Sequence, residues 1–223
     1  MNITLSERDA VYKTIFSRRD VRGEFLPTPI PQDVLLRILN AAHHAPSVGF
    51  MQPWDFIVVK QPQTKAKIKQ GFLQAHHEAA ELFAKAFSNE TRNQYLSLKL
   101  EGIEEAPIGI CITCDRHRLG PVVLGRTAKP EMDLYSSVCA IQNLWLAARA
   151  ENLGVGWVSI VHDDVMREAL NIPENIEIIA YLCVGYTTYF HDKPELEKKG
   201  WRKRRPLSEV IHEETWDSDK LDQ

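Results

Sequence analysis

The chain has 223 residues, the size of one large domain, and 44% of them are apolar, which is enough to build a buried core. The net charge of -3 gives no overall positive field that would favour nucleic acid. No apolar run approaches the roughly 18 residues of a membrane span. The first residues also lack the charged-then-apolar pattern of a signal peptide, so we expect a cytoplasmic protein with no nucleic-acid or membrane partner.

The first half of the chain predicts helices around a single strand. Ser6 is a candidate N-cap for a helix over 8–16. A second helix is expected where apolar residues recur at helical spacing over 34–42. The apolar run 56–60 predicts a strand, and residues 63–101 predict one or two long polar helices.

Buried strands and one very apolar helix characterise the second half. In chain order we expect a strand over 108–113, a helix over 132–152, a strand over 155–160, a short helix over 163–170, a strand over 176–185 and an added edge strand over 207–211. Gly154 is the expected C′ glycine of the long helix. Four apolar strands among many helices predict either a sheet covered on both faces or an α+β fold, in one domain over 1–214 followed by a polar tail over 215–223.

Common metal and nucleotide motifs are absent from the sequence. It contains no G-x-G-x-x-G after a strand, no P-loop and no H-E-x-x-H, so we expect no metal site. Cys111 and Cys114 are three residues apart, and on a strand this spacing puts the two thiols on opposite faces, unsuited to a disulfide or a shared metal. We expect all four cysteines to pack in the core.

The loop over 43–54 is the most unusual segment of the sequence. It follows an amphipathic helix, precedes a strand, and contains two prolines, a glycine, Ser47, Gln52 and Trp54. Fixed backbone with planar and polar side chains is suited to holding a flat ligand. Ser47 and Gln52 could hydrogen-bond the polar edge of such a ring, whereas Trp54 is expected to pack in the core.

Two basic segments are candidate phosphate sites, because guanidinium groups pair well with phosphate. The first contains Arg18, Arg19 and Arg22. The second contains Arg202 and Arg204, which alternation in an extended segment would point to the same side. The ordinary alternatives are a solvated helix end for the first segment and a basic linker for the second.

Asp20 and Ser159 are candidates for chemistry. Asp20 lies among three arginines, where a carboxylate is either a structural counter-ion or an acid/base, and the cations should favour its ionised form. Ser159 lies near the end of the predicted strand 155–160, which Gly154 precedes and which contains Gly156, and the alternative is an ordinary buried serine. The absence of G-x-S-x-G argues against a serine nucleophile.

Together these segments resemble the nitroreductase family over nearly the whole chain. They are the basic cluster, the Pro-Ser-x-x-x-x-Gln-Pro-Trp loop, the glycine-containing strand and the basic C-terminal segment. The resemblance implies an α+β fold with a central mixed sheet covered by helices, a homodimer, and FMN held between the subunits. The flavin-binding residues that it implies are Arg18, Arg19, Asp20, Val21, Arg22, Ser47, Met51, Gln52, Leu100, Ser159, Arg202 and Arg204.

Within this family, the long 43–54 loop and Asp20 resemble the 5,6-dimethylbenzimidazole synthase branch, as do 99–103 and 156–159. The branch implies O2-dependent fragmentation of reduced FMN to 5,6-dimethylbenzimidazole, the lower ligand of cobalamin. Asp20 and Ser159 would be the catalytic residues, and a separate flavin reductase would supply reduced FMN. The alternatives are an NAD(P)H-dependent FMN nitroreductase or flavin reductase, and a flavin-storage protein without catalysis.

Overall fold

The computed structural model describes residues 2–216, in which helices surround a four-stranded sheet. The α-helices are α1 (Leu5–Ser17), α2 (Gln32–His43), α3 (Pro62–Ala86), α4 (Asn89–Leu96), α5 (Met132–Ala150), α6 (Asp163–Leu170) and α7 (Glu195–Lys198). The strands are β1 (Trp54–Val59), β2 (Ile108–Cys114), β3 (Leu153–Val158) and β4 (Glu177–Tyr186). The four predicted apolar strands and the long helices are confirmed, with ends that differ by a few residues.

The sheet has the strand order β1-β2-β4-β3, and each neighbouring pair is antiparallel. Among the described residues, parallel pairing is limited to an isolated bridge between Asp20 and Val155. The parallel part of the expected mixed sheet is therefore a single contact. It ties the segment after α1 to the outer edge of β3.

Helices cover both faces of the sheet because the central strands are apolar on both sides. Every residue of β2 is buried. One face packs on α2 and α5 around Ile110 and Leu144, and the other packs on α3 and α6 around Cys111 and Met166. Cys111 and Cys114 lie on opposite faces of β2, as their spacing predicts.

Two predicted helix ends are wrong because a better capping residue lies nearby. Thr4, not Ser6, caps α1: its side chain accepts from the Glu7 amide, while the Glu7 carboxylate accepts from the Thr4 amide. After α5, the left-handed residue is Asn152, with φ of 59°, and Gly154 lies within β3. Asn tolerates the left-handed conformation, so no glycine is needed there.

Two further predictions are also wrong. Residues 207–210 form a short 3-10 helix (Leu207–Val210), not an edge strand, because Pro206 at its start lacks a ladder N–H. Cys139 is exposed on α5, whereas the other three cysteines are buried. Of the predicted polar tail, residues 217–223 lie outside the described residues. Among the described residues, no helix is both long and apolar enough to cross a membrane.

Candidate functional site

The segment that follows α1 lies against β3 and carries Asp20. The Val21 amide donates to the Val155 carbonyl at 3.0 Å, and the Trp157 amide donates to Asp20 Oδ1 at 3.1 Å. Gly156 makes this approach possible, since a Cβ atom there would lie 2.1 Å from the Val21 carbonyl oxygen. The main chain of β3 therefore fixes the position of the Asp20 carboxylate.

The Asp20 carboxylate is also paired with Arg22. The guanidinium of Arg22 donates to Asp20 Oδ2, and its Nη1 lies 3.8 Å from the Glu195 carboxylate. Burial nevertheless raises the pKa of Asp20 above its ordinary value, and this outweighs the lowering by Arg22, the Trp157 amide and Arg18. The expectation that the arginines would favour the ionised form is therefore wrong in direction, because it left out desolvation.

Three arginines from the two ends of the chain line one cleft next to Asp20. Arg18, Arg19 and Arg204, called the cationic cleft from here on, border a cavity of about 110 Å³ and a larger one of about 570 Å³. The smaller cavity is also lined by Asp20, Arg22, Pro194, Glu195 and Leu196. Arg202 does not line either cavity and is exposed, with its guanidinium donating to the Trp201 carbonyl.

The cationic cleft contains donors that the protein leaves unused. Arg19 Nε and Arg22 Nε are buried and have no hydrogen-bond partner among the described residues. Burial also lowers the pKa of Arg18; the Asp20 charge opposes this, whereas the nearby charges of Arg19 and Arg204 add to it. Guanidinium groups that are crowded and partly desolvated favour the binding of an anion.

The second half of α5 packs against the cationic cleft and contacts the segment that carries Arg18 and Arg19. The Arg18 guanidinium carbon lies 4.8 Å from the centre of the Trp145 ring, and Trp145 Nε1 donates to the Arg19 carbonyl at 3.4 Å. Arg149 Nε donates to the Ser17 carbonyl at 3.3 Å. Sequence reasoning missed Trp145, because a tryptophan in an apolar helix carries no signal that separates it from a core residue.

The 43–54 loop carries a hydrogen bond within itself and buries apolar side chains. Ser47 Oγ accepts from the Gln52 amide at 3.0 Å, so this hydroxyl acceptor is used within the loop. Gly49, Phe50 and Gln52 all have positive φ, so the chain turns tightly here. Met51 is buried, with 2% of its surface exposed. Trp54 is also buried, as predicted.

Within one chain, this loop and the cationic cleft lie at different ends of α5. The Val48 amide donates to Ser136 Oγ near the start of α5, whereas the cleft rests on Trp145. Nine residues of helix separate Ser136 from Trp145, which is roughly 13 Å along the axis. The structure therefore does not bring Ser47, Met51 and Gln52 to the arginines in the same chain.

The two remaining predicted residues, Leu100 and Ser159, do not line the cavities of the cationic cleft. Leu100 is half-buried and lies in a loop that packs against the segment carrying Asp20 and Arg22. The approach is close, since a Cβ atom at Gly102 would lie 2.4 Å from the Arg22 carbonyl oxygen. Ser159 is exposed just beyond β3 and borders a cavity of about 150 Å³. The alternative of an ordinary buried serine therefore does not apply. Ser159 is two residues beyond Trp157, roughly 6.6 Å along an extended chain.

The chain is similar to known proteins over most of its length. The chain is 40% identical over 201 residues to the 5,6-dimethylbenzimidazole synthase of Rhodospirillum rubrum, covering 90% of this chain and 93% of the relative. It is 36% identical over 206 residues to the synthase of the same name from Rhodobacter capsulatus, covering 92% and 97%.

Among solved structures, an iodotyrosine deiodinase bound to FMN and 3-iodo-L-tyrosine superposes with a TM-score of 0.69. The sequence identity is 19%, and the match covers 92% of this chain and 100% of the other. At that identity the likeness concerns the fold alone. Residues 15–186 match the nitroreductase family, and this match includes Asp20, the 43–54 loop and all four strands. On these grounds the chain belongs to the nitroreductase family.

Proposed function

We propose that this protein is a 5,6-dimethylbenzimidazole synthase, which uses O2 to fragment reduced FMN and release 5,6-dimethylbenzimidazole, the lower ligand of cobalamin. One observation carries the proposal: a carboxylate, Asp20, is fixed by the Trp157 amide at the edge of a cationic cleft. The chain is also 40% identical to a relative that bears the synthase name.

FMN fits the groups that the chain provides. Arg18, Arg19 and Arg204 supply the cations for a phosphate dianion, and the buried, unpartnered Nε of Arg19 provides a donor that an anion would satisfy. The flavin supplies the redox chemistry and reacts with O2, so the protein has to bind it, orient it and move protons.

Asp20 is suited to proton transfer because burial raises the pKa of its carboxyl. A carboxylate with raised proton affinity accepts a proton more readily near neutral pH than an ordinary aspartate does. Oδ1 is held by the Trp157 amide, so the carboxylate cannot rotate freely. Ser159 offers a hydroxyl at the end of the same strand, where it can donate to a ligand.

The active site is formed between two subunits in this proposal. The 43–54 loop and the cationic cleft lie at different ends of α5 in one chain, so the loop of one subunit meets the cleft of the other. α1 has no buried residue although it presents Tyr12 and Phe16. α5 exposes Tyr135 and Val138 on one stripe. A second copy would cover these apolar faces.

Dimer formation can be tested by complementation. In this arrangement, Asp20→Asn and Gln52→Ala affect opposite halves of the same site. A refolded 1:1 mixture of the two inactive variants should form heterodimers with one intact site each, which gives about a quarter of the parental activity. Sedimentation should show a dimer. A monomer that binds FMN with full affinity would contradict the shared site, as would a mixture that stays inactive although heterodimers form.

Reduced FMN would come from a separate flavin reductase in the cytoplasm.

The decisive experiment incubates the protein with chemically reduced FMN in air and analyses the products by chromatography. We expect 5,6-dimethylbenzimidazole in amounts that match the flavin lost. Repeated oxidation of NAD(P)H with intact FMN would instead identify a nitroreductase or flavin reductase. Bound flavin with neither reaction would identify a flavin-storage protein.

The Ser159 hydroxyl is expected to act in the reaction and not in folding. Its side chain is exposed, so Ser159→Ala should change stability little and leave FMN binding intact. A hydrogen bond that strengthens in the transition state would be lost, and product formation should fall at least about tenfold. Thr64→Ala, which removes a hydroxyl from α3 outside the site, is the matched control. Equal product yields from Ser159→Ala and the parent protein would remove Ser159 from the mechanism.

A further inference from the structure

Trp145 makes two separate contacts with the cationic cleft. Its ring face lies 4.8 Å from the guanidinium carbon of Arg18, and its Nε1 donates to the main-chain carbonyl of Arg19 at 3.4 Å. Trp145 itself is 8% exposed and lies on α5, packed against the main core. A single rigid side chain therefore contacts two of the three arginines of the cleft.

These contacts are important because the cationic cleft brings three positive charges close together. Arg18, Arg19 and Arg204 line one small cavity, and the positive charges of Arg19 and Arg204 act against that of Arg18. The Asp20 carboxylate attracts Arg18 electrostatically, but its hydrogen bonds go to Arg22 and to the Trp157 amide. A further contact is needed to limit the rotamer freedom of the long Arg18 side chain, which can otherwise extend toward solvent and away from the other two cations.

The electron-rich face of an indole supplies such an attraction without neutralising the charge. A cation over an aromatic ring stays fully charged and keeps its N–H donors at the edge free for a ligand. A carboxylate in the same place would use those donors and cancel the charge. The ring therefore holds Arg18 in the cleft while leaving it able to bind an anion.

We infer that Trp145 is a positioning residue that makes the site selective for a flavin with a phosphate monoester over one without. This rests on the proposed function, because it assigns the cationic cleft to the phosphate of FMN. Trp145 acts through Arg18 and Arg19 and does not itself touch the flavin phosphate. Its removal should weaken the binding of phosphorylated flavin specifically.

The experiment compares the binding of oxidised FMN and riboflavin by fluorescence titration in the dimeric protein. Trp145→Leu should weaken FMN binding by about fivefold to thirtyfold, the range expected for a partly desolvated cation–π contact, and change riboflavin binding by less than about twofold. Trp145→Phe keeps a ring face and should restore most of the affinity for FMN. In an Arg18→Ala background, Trp145→Leu should have a much smaller further effect on FMN binding, because only the contact with the Arg19 carbonyl is left to lose.

A general packing defect would give a different result. Leu144→Ala removes a fully buried neighbour on α5 and should lower stability while keeping the ratio of FMN to riboflavin affinity. If Trp145→Leu does not fold, Trp145→Met replaces it in every comparison. Equal weakening of FMN and riboflavin, or full additivity with Arg18→Ala, would overturn the inference. Because only binding is measured, a missing benzimidazole product would count against the proposed function and not against Trp145.

Discussion

Asp20→Asn is expected to leave the protein folded and able to bind FMN, and to lower product formation by about a hundredfold or more. The substitution keeps the shape of the side chain, and its remaining oxygen can still accept from the Trp157 amide. It removes the group that accepts a proton. The measurement is product yield from reduced FMN in air, together with a binding titration and a thermal unfolding curve.

The raised pKa of Asp20 determines the direction in which folding stability and activity should change with pH. A carboxyl whose pKa is higher in the folded chain favours folding most when protonated, and this contribution is lost as pH rises through the folded pKa. At neutral pH the ionised carboxylate therefore does not hold the fold together, so the Asn variant should not unfold. If Asp20 acts as a base, activity should fall with decreasing pH already above the range of an ordinary aspartate.

Two outcomes would contradict this role for Asp20. Normal product formation by Asp20→Asn would remove both the proton-transfer role and the main reason for placing the protein among the synthases. Unfolding of the variant would indicate that Asp20 is a structural counter-ion of Arg22. Asp33→Asn, which changes an exposed carboxylate on α2 that lines neither cavity of the cleft, is the matched control and should keep its activity.

Arg204→Ala should weaken the binding of FMN by about 1.5–3 kcal/mol, which is on the order of 13-fold to 160-fold, whereas Arg202→Ala should change it by less than about twofold. The structure distinguishes the two residues, because Arg204 lines the cationic cleft and Arg202 does not. Each variant removes one arginine from the same segment, so each controls for the change in net charge. Titration of FMN at several salt concentrations provides the measurement.

Riboflavin serves as the internal control for Arg204, because it lacks the phosphate. Arg204→Ala should bind riboflavin as the parent protein does. Equal losses of FMN affinity in both arginine variants would mean that both side chains reach the phosphate, as simple alternation in an extended segment predicts. Unchanged FMN binding in Arg204→Ala would show that the cationic cleft holds something else.

Local sequence patterns predicted the elements of the fold well, because their signals are short-range. The stripe of α2 and the apolar run of β2 are each sufficient to identify an element. The errors at the helix ends arose where two nearby residues could each cap the same helix. Thr4 and Ser6 are both good N-caps, and only the reciprocal contact with Glu7 in the structure decides between them.

The site was predicted in part, for a similar reason. Residue types identified Asp20 and the arginines, but which cations meet depends on contacts between distant parts of the chain. Arg204 and Arg18 line the same cavity although they lie near opposite ends of the sequence, and no local spacing distinguishes Arg204 from Arg202. The raised pKa of Asp20 depends on burial, which charges counted along the sequence cannot reveal. Trp145 supports the cleft only because α5 passes beneath it.

The contact between Asp20 and Trp157 has a second consequence, which concerns aggregation. β3 is the last strand of the sheet, and its outer edge would otherwise present main-chain groups to another chain. The Val21 amide covers the Val155 carbonyl, and the Asp20 carboxylate covers the Trp157 amide. An alanine at position 20 would leave that amide open, whereas an asparagine can still cover it. The side chain proposed for flavin chemistry thus also keeps the sheet from growing by one more strand.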